Sequence, residues 1–480
     1  MATQRALKDT HVERRLYQSR MTVAMLGLFL LVGVLLYRYA VLQIVNYDVY
    51  RTQSDRNRIQ LQSIAPKRGL IYDRHGELLA ENIASYNLTI VKERVDNLDE
   101  TIRLLAELIP ISASDLKKFK RRLYNRRPYE AVPLRFRLSE VETALVSANR
   151  HRMPGVQIEA ELVRHYKHGA LFAHALGYVG RINEREQARI DTINYSGTYH
   201  IGKIGLEKYY EDILHGTVGY QNVETNARGR ILRVLEHHDP VAGQDLQLNL
   251  DVELQRVALS ALKDDKGAVV AIDTKTGGVL ALVSKPSYDT NLFVNGISSA
   301  DYNRLRESEN LPLFNRAIQG QYPPGSTLKP IFALAGLQYD IVTKDTAIYD
   351  PGWYTLPNEE RRFRDWKRGG HGRKVDLHQS IVESCDVYYY DLAYKLGIDR
   401  LHKFARPFGL GVRTGIDSVN ERKGLLPSRE WKRDTKGVHW YPGETLNAGI
   451  GQGYMLATPL QLAVTAAAFA NRGFMFEPRF

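Results

Sequence analysis

The stretch PPGSTLKPIFALAGL, residues 323–337, places a turn signal, a serine, a lysine and an apolar run in succession. Pro-Pro-Gly favours a turn, and the apolar run can bury a helix in a core. Residues three apart lie on one face of a helix, so Lys329 can lie beside the hydroxyl of Ser326. A serine becomes a good nucleophile when a neighbouring base removes its proton. The stretch therefore predicts a nucleophilic serine at the start of a buried helix, where the helix dipole favours developing negative charge.

The pattern Ser-x-x-Lys is weak by itself, because it occurs three times in the chain. The copies at Ser114–Lys117 and Ser260–Lys263 lie in charged amphipathic stretches, and we interpret them as solvated helix faces. The copy at Ser326 differs in its turn, in its apolar helix and in a second motif further along, Ser384-Cys385-Asp386. These differences single out Ser326 as the candidate nucleophile.

Composition limits the class of protein. A chain of 480 residues is too long for one ordinary domain, so two or three are expected. The formal net charge of +12 suits an anionic membrane surface or a pyrophosphate-bearing substrate. No zinc-finger spacing, RNA-binding signature or long Lys/Arg run is present, so no nucleic-acid partner is expected. The single cysteine, Cys385, excludes an intrachain disulfide.

An apolar segment near the N-terminus predicts a membrane anchor. Residues 21–43 are long and apolar enough to form one transmembrane helix if Arg38 snorkels to the far interface. Residues 1–20 carry five Lys or Arg against two Asp or Glu, which predicts a cytoplasmic tail and an external remainder. A cleaved signal peptide fits less well, because the segment is long and no small-x-small cleavage site follows. A buried core helix fits less well still.

After the apolar segment, the composition and the motifs of the chain change near residue 245. Residues 44–245 are mixed and polar, whereas residues 246–480 contain both serine motifs, which divides the chain into two candidate units. A β-hairpin is predicted over residues 267–284, with its turn at Thr276-Gly277-Gly278. Strands followed by helices and then by more strands indicate an α+β fold rather than a doubly wound sheet.

Several motifs together resemble a known family. Ser-x-x-Lys followed by Ser-x-Asn or Ser-x-Asp is the signature of penicillin-binding proteins and serine β-lactamases. Further segments resemble the class B, monofunctional penicillin-binding proteins: RGLIYDRHG at 68–76, GKIGLEKYYEDILHG at 202–216 and GIGQGY at 449–454. Ser-x-Asp, preceded by RDWKRGGHG at 364–372, is most similar to the members that act in side-wall elongation of rod-shaped Gram-negative bacteria.

The resemblance implies a pedestal or dimerisation-type domain, then a transpeptidase domain in the periplasm, anchored in the bacterial inner membrane. Ser326 would attack the D-Ala–D-Ala bond of a peptidoglycan stem peptide, with Lys329 as its base, and an amine would capture the acyl-enzyme. Ser384 would relay a proton, and Asp386 occupies the place of the usual asparagine. β-Lactams would acylate the nucleophile, and no cofactor is required. The implied partners are a SEDS-family glycan polymerase, other elongation-complex proteins and membrane lipid.

One family motif has no counterpart after Asp386. The third motif, Lys-Ser/Thr-Gly, is matched only by Lys275-Thr276-Gly277, which precedes Ser326 and which we interpret as part of the hairpin turn. We therefore expect a transpeptidase domain truncated at its C-terminus. In the family the absent strand supplies one N–H of the oxyanion hole and the groups that hold the substrate carboxylate.

The region before Ser384 contains a second group of candidate functional residues. One Cys, one His and two Asp can make a four-coordinate structural zinc site, here Asp350, Asp365, His371 and Cys385. The alternative is that the cysteine is a small packed residue in a solvated polar loop, since no paired ligand spacing supports the metal. The basic run 361–374 could contact an acidic substrate, but we interpret it as a solvated loop. The three tyrosines at 388–390 are predicted to pack.

Other functions remain open at the level of sequence. A β-lactamase or D,D-carboxypeptidase-type hydrolase would use the same motifs, but the long N-terminal module and the anchor argue against a small secreted hydrolase. A non-catalytic scaffold that activates a SEDS polymerase is a different class of function and is compatible with catalysis. A β-lactam-sensing receptor would need several membrane spans, and one is visible.

Overall fold

The computed structural model describes residues 10–46, 59–124, 128, 131–225, 231–294 and 296–480. Its longer helices are α1 (Thr10–Ala40), α2 (Leu98–Leu108), α3 (Ala113–Tyr124), α4 (Glu140–Asn149), α5 (Val252–Ala261), α6 (Ser299–Arg306), α7 (Lys329–Gln338), α8 (Leu377–Val382), α9 (Asp386–Ala405), α10 (Arg429–Lys436), α11 (Pro442–Gly449) and α12 (Pro459–Ala470). Short helices of four or five residues lie at Ala173–Leu176, Glu184–Gln187, Gly205–Tyr209, Glu211–His215 and Asn291–Val294.

The described residues also form many strands. They are β1 (Ile59–Ile64), β2 (Ile71–Tyr72), β3 (Leu78–Val91), β4 (Ala131–Leu138), β5 (Val156–Tyr166), β6 (Val179–Arg181), β7 (His200–Gly202), β8 (Gly216–Thr217), β9 (Gly219–Thr225), β10 (Ile231–His238), β11 (Val241–Ala242), β12 (Leu246–Gln247), β13 (Gly267–Ile272), β14 (Val279–Lys285), β15 (Ile348–Asp350), β16 (Trp353–Thr355), β17 (Arg362–Arg364) and β18 (Gly372–Val375). The mixture confirms the predicted α+β class.

The N-terminal helix confirms the apolar segment found in the sequence. Residues Ser19–Ile44 form one helix of 26 residues with a mean hydropathy of 2.1, and none of its apolar window is buried by the rest of the chain. Its last turn, Val41–Val45, widens to a π-helix. At about 1.5 Å per residue the helix is long enough to cross a bilayer. Residues 1–9 of the predicted cytoplasmic tail lie outside the described residues.

The main sheet of the segment after the apolar helix has the order β12-β2-β3-β4, with β5 also paired to β3, and a second sheet has the order β1-β9-β10. Strand β3 pairs with β5 from Ala80↔Tyr166 to Ile90↔Val156. Helices α2 and α3 cover one end of this sheet and bury Leu105 and Phe119 completely. Strand β12 joins the sheet in parallel with β2, so the chain leaves this sheet only after residue 247.

A buried ion network joins two of the motifs that carried the family resemblance. Arg68 contacts Glu207 and Glu211 at 2.7 Å each, and Arg164 contacts Glu207 at 2.7 Å. Burial alone would raise the pKa of Glu207, but the two guanidinium groups outweigh it and hold that pKa below its ordinary value. A buried pair that loses one partner typically costs about 3–5 kcal/mol, so the network fixes segments 68–76 and 202–216 together.

The C-terminal half is packed around α9, which contacts α7 and α11 and bends at Gly397, where φ is 75°. One hydrophobic core contains residues from both halves of the chain. Ile71 and Leu79 of the main sheet belong to the same buried cluster as Val279 and Leu460. The predicted hairpin is confirmed: β13 pairs with β14 from Gly267↔Lys285 to Ile272↔Val279. Lys275-Thr276-Gly277 lies in its turn, as the sequence analysis proposed.

Candidate active site

The predicted nucleophile lies on a 3-10 turn, Gly325–Leu328, that leads directly into α7. Side chains three residues apart eclipse one another on a 3-10 turn, so Ser326 and Lys329 face the same side. Ser326 is exposed, whereas Lys329 is only 1% exposed. In the other two Ser-x-x-Lys copies the lysines, Lys117 and Lys263, are exposed. Burial of the lysine beneath an accessible serine is thus particular to residues 326–329.

The second motif surrounds the start of α9. Ser384 has a left-handed backbone with φ of 55°, a conformation that costs a non-glycine residue about 1–3 kcal/mol. Cys385 is the N-cap of α9, its sulfur accepting from the Tyr388 N–H at 3.4 Å, and Asp386 is the first helical residue. The unusual turn at Ser384 brings both its hydroxyl and its carbonyl to the buried lysine.

The four candidate catalytic side chains lie together. The Oγ atoms of Ser326 and Ser384 are 2.8 Å apart. Lys329 Nζ is 3.0 Å from Ser384 Oγ, 2.7 Å from Ser384 O and 2.7 Å from Asp386 Oδ1. The sequence predicted that Lys329 would lie directly beside the nucleophile. In the structure the hydrogen-bonded connection between Ser326 and Lys329 runs through Ser384.

The GIGQGY segment, residues 449–454, packs against the turn that precedes Ser326. The Gly325 N–H donates to Gly451 O at 2.8 Å. A Cβ on Gly451 would come within 2.2 Å of Gly325 O, and Gly451 has φ of +69°, so only glycine fits without displacing the turn. The sequence marked this segment as a family motif, but its contact with the turn before Ser326 is a tertiary feature.

The four candidate zinc ligands also converge. One ligand atom from each of Asp350, Asp365, His371 and Cys385 can be chosen so that all lie within 4.8 Å of one another. His371 Nδ1 is 2.7 Å from Asp350 Oδ2, and Cys385 Sγ is 3.3 Å from the same oxygen. Tetrahedral zinc with bonds of about 2.0–2.3 Å requires ligand atoms roughly 3.5 Å apart. The cluster is therefore close to the required dimensions.

The electrostatics of this cluster are those of a site that a cation would stabilise. Burial raises the pKa of the Cys385 thiol, and the neighbouring carboxylate of Asp350 adds to the shift. Burial also acts to raise the pKa of Asp350, but hydrogen bonds from His371, Gly352 and Cys385 hold it below its ordinary value. His371 Nε2 is buried without a hydrogen-bond partner. The donor set of one thiol, one imidazole and two carboxylates fits zinc.

Trp366 connects this cluster to the candidate catalytic residues, and the sequence analysis did not single it out. Its backbone N–H donates to Asp386 Oδ2 at 3.2 Å, and its indole N–H donates to Ser384 O at 3.1 Å. Asp365, its neighbour, accepts from the Val387 N–H at 3.0 Å. Residues 364–367 (RDWK) thus bind the start of α9 through these hydrogen bonds. Tyr388, Tyr389 and Tyr390 are buried, which confirms that they pack.

Two protein-family models match the chain. The penicillin-binding protein dimerisation domain matches residues 63–248, and the penicillin-binding protein transpeptidase domain matches residues 267–480. Between them they account for nearly all of the chain after the anchor.

Known proteins are similar over almost the same span. The peptidoglycan D,D-transpeptidase MrdA of Acinetobacter baumannii is 49% identical over 467 residues, which is 97% of this chain and 69% of that protein. The crystal structure of Pseudomonas aeruginosa PBP2 in complex with WCK 5153 is 43% identical with a TM-score of 0.67, covering 88% of this chain and 72% of that one. The complex between PBP2 and MreC from Helicobacter pylori is 32% identical with a TM-score of 0.78, covering 88% and 78%.

These likenesses agree with the resemblance found in the motifs. They favour transpeptidation over the hydrolase and scaffold-only alternatives, because the relatives are peptidoglycan D,D-transpeptidases and the transpeptidase domain is present. Transpeptidases of this family need no cofactor for the reaction itself. The chain belongs to the class B penicillin-binding proteins, in the penicillin-binding protein 2 group of peptidoglycan D,D-transpeptidases.

Proposed function

We propose that this transpeptidase uses Ser326 as its nucleophile, Ser384 as a proton relay and Lys329 as the final proton acceptor. The observation that supports this proposal is the continuous chain of contacts, 2.8 Å from Ser326 Oγ to Ser384 Oγ and 3.0 Å from there to Lys329 Nζ. Both distances are within hydrogen-bond range for proton transfer between side chains.

Three acceptor atoms surround Lys329 Nζ and can take all of its N–H groups. Two of its three contacts, Ser384 O and Asp386 Oδ1, can only accept and therefore use two N–H groups. The third N–H donates to Ser384 Oγ, which in turn donates to Ser326 Oγ. Both hydrogen bonds therefore point from the lysine toward the nucleophile, and they must reverse, after Lys329 has given up one proton, for the proton of Ser326 to pass through Ser384 to the lysine.

In the acylation step, Ser326 Oγ forms a bond to the carbonyl carbon of the penultimate D-Ala. The C–N bond to the terminal D-Ala breaks, and the proton taken from Ser326 returns through Ser384 to the departing amine. In the second step an amine of a neighbouring stem peptide attacks the ester. A C–N bond forms, the bond to Ser326 Oγ breaks, and the amine's proton goes back to that oxygen. Asp386 stabilises Lys329 whenever the lysine carries the proton.

Ser384→Ala is expected to slow acylation by penicillin roughly 100-fold, because it interrupts the only hydrogen-bonded path described between the nucleophile and the lysine. The measurement is stopped-flow acylation, followed by mass spectrometry of the digested protein to locate the adduct. The adduct should remain on Ser326 in the variant as in the parent. An adduct on another residue would remove the nucleophile assignment, and an unchanged acylation rate would remove the relay.

We also propose that Asp350, Asp365, His371 and Cys385 hold a structural zinc ion. The convergence of their ligand atoms supports this, with His371 Nδ1 facing both Asp350 and Asp365. A bound divalent cation would offset the two buried carboxylates and favour the thiolate. Cys385 lies between Ser384 and Asp386, so a metal held there would fix the second catalytic motif. The ion would have no part in the acyl transfer.

His371→Ala is expected to abolish binding of about one zinc ion per chain and to lower the unfolding free energy by about 3 kcal/mol. His174→Ala is the matched control, because His174 is also buried and also has an unpartnered Nε2. Both variants should melt at lower temperature, but only His371→Ala should lose zinc in elemental analysis of protein purified without chelator. Equal, negligible zinc in the parent and both variants would contradict the metal site.

For the location we propose a single-pass protein of the bacterial inner membrane, with a cytoplasmic N-terminus and a periplasmic catalytic domain. The apolar helix Ser19–Ile44 and the excess of basic residues before it support this orientation. For partners we propose peptidoglycan stem peptides, β-lactams, a SEDS-family glycan polymerase and elongation-complex proteins. The H. pylori relative is known in complex with MreC, which supports a partner of that kind here.

A further inference from the structure

A small exposed face beside the catalytic residues carries positive charge and aromatic rings. Strands β16 and β17 form a hairpin in which Trp353 pairs with Arg364 and Thr355 with Arg362. All four of these residues are exposed, whereas Phe363 between the two arginines is buried. Trp366, two residues after Arg364, is 63% exposed. Trp353, Arg362, Arg364 and Trp366 therefore follow the outer face of the hairpin, which we call the basic face.

The inner side of the hairpin is fixed to the catalytic helix α9. Phe363 packs on the ring of Tyr390 with 5.8 Å between centroids, and Tyr390 Oη donates to Arg364 O at 3.2 Å. After the strand, the chain continues to Trp366. Its backbone N–H donates to Asp386 Oδ2 and its indole N–H donates to Ser384 O. The basic face is thus a rigid surface whose inner end touches the proposed proton relay.

The positive charges of Arg362 and Arg364 have no acidic partner among the described residues. Neither Arg362 nor Arg364 forms an ion pair with any residue that the structure describes; the Arg362 guanidinium instead lies 4.5 Å from the centre of the Trp353 ring. Acidic groups are close in sequence, but Asp365 points inward to the metal-ligand cluster and Glu383 is paired with Lys367 at 3.2 Å. Glu359 and Glu360 lie in the loop between β16 and β17, beyond the paired residues. Two free guanidinium groups are suited to binding carboxylates, often by two hydrogen bonds at once.

We propose that the basic face binds the carboxylates of the acceptor stem peptide and guides its amine to the acyl-enzyme. This inference rests on the proposed function, since it deepens the second step of that reaction. A stem peptide is short, extended and carries free carboxylates. Strand β17 from Arg362 to Arg364 spans about 7 Å, the length of roughly two extended residues, and Trp366 follows it at the end nearer Ser384. A peptide lying along it would end beside Ser384, where the proton of the incoming amine must be accepted.

The basic face is less suited to the donor, the stem peptide that acylates Ser326. By the family resemblance, the third motif binds the carboxylate of the donor's D-Ala–D-Ala end. The donor has also lost its terminal D-Ala before the second step begins. An anion-binding surface at the second motif is therefore available to the peptide that arrives afterwards.

The test is the double variant Arg362→Gln/Arg364→Gln in the full-length protein, with Arg304→Gln/Arg306→Gln on α6 as control. The control removes the same number of charges from exposed arginines on a helix outside the hairpin. Each protein is acylated with a stem-peptide donor, and transfer is measured to two acceptors: a tetrapeptide with free carboxylates and the same peptide with its carboxylates amidated. The ratio of the two transfer rates within one preparation does not depend on the folded fraction.

The parent and the control are expected to favour the anionic acceptor roughly tenfold, the effect of two exposed ion pairs, and added salt should reduce this preference. The double variant should treat both acceptors alike, with its rate of penicillin acylation unchanged. If the double variant prefers the anionic acceptor as strongly as the parent does, the proposal is wrong. It is also wrong if the double variant is acylated more slowly by the donor while the ratio of its two transfer rates stays that of the parent. Failure of the nucleophile assignment would look different, as an adduct away from Ser326.

Discussion

Lys329→Met is expected to reduce the rate of acylation by penicillin roughly 1,000-fold, within the range of rate enhancement that general-base catalysis supplies. Methionine keeps much of the length and volume of the buried side chain but cannot accept a proton. The Ser326 hydroxyl would still be exposed and still contact Ser384, but the proton would have no acceptor at the end of the path. Acylation followed with fluorescent penicillin under single-turnover conditions measures the effect.

Lys432→Met is the matched control for this experiment. Lys432 is also buried, at 2% exposure, and its Nζ contacts Glu444 at 2.6 Å and His439 O at 2.7 Å. Each variant removes a buried lysine from an ion pair, so each should lose about 3–5 kcal/mol of stability. Only Lys329→Met should lose acylation in the protein that remains folded. Equal acylation rates in the two variants would show that Lys329 acts in folding and not in proton transfer.

Ser326→Ala should abolish the covalent penicillin adduct, because among the residues that the structure describes no other hydroxyl is hydrogen-bonded to Ser384 Oγ. The fold should be unaffected, since Ser326 is exposed. Thr327→Ala is the control: it removes the neighbouring exposed hydroxyl, whose Oγ1 donates to Pro324 O at 2.8 Å, and it should keep the adduct. Gel detection of labelled penicillin gives the result directly.

The same variant separates catalysis from a scaffolding role. If the chain also activates a SEDS polymerase, glycan polymerisation by the partner in reconstituted membranes should be the same with Ser326→Ala as with the parent. Loss of polymerisation together with the adduct would contradict an independent scaffold. Persistence of the adduct would contradict the nucleophile.

The clustering of the candidate catalytic residues was predictable in large part because they lie in two short motifs. Ser326 and Lys329 are three residues apart, and Ser384 and Asp386 are separated only by Cys385. Short-range geometry places such residues near one another whatever the rest of the fold does. The candidate zinc ligands were harder to interpret, since they are spread over residues 350–385 without paired spacing, and only the folded loop brings their ligand atoms within 4.8 Å.

The connection through Ser384 was not predictable in the same way. It depends on the left-handed turn at Ser384, which no propensity favours in a serine and which the surrounding contacts impose. The basic run at 361–374 was interpreted as a solvated loop from its composition. The strand pairing of β16 with β17 instead sorts its residues onto two faces, with Phe363 inward and two arginines outward.

The sequence alone determined the apolar N-terminal helix, the α+β class and the choice of Ser326 and Lys329 as candidates, because each is encoded by residues adjacent in the chain or by a family motif. The tertiary structure alone decided which groups share a hydrogen bond. Gly451 fits against Gly325, Trp366 holds Asp386, and the outer face of the hairpin meets the second motif. These contacts join segments far apart in sequence, and their distances are set by packing around α9, which no local pattern records.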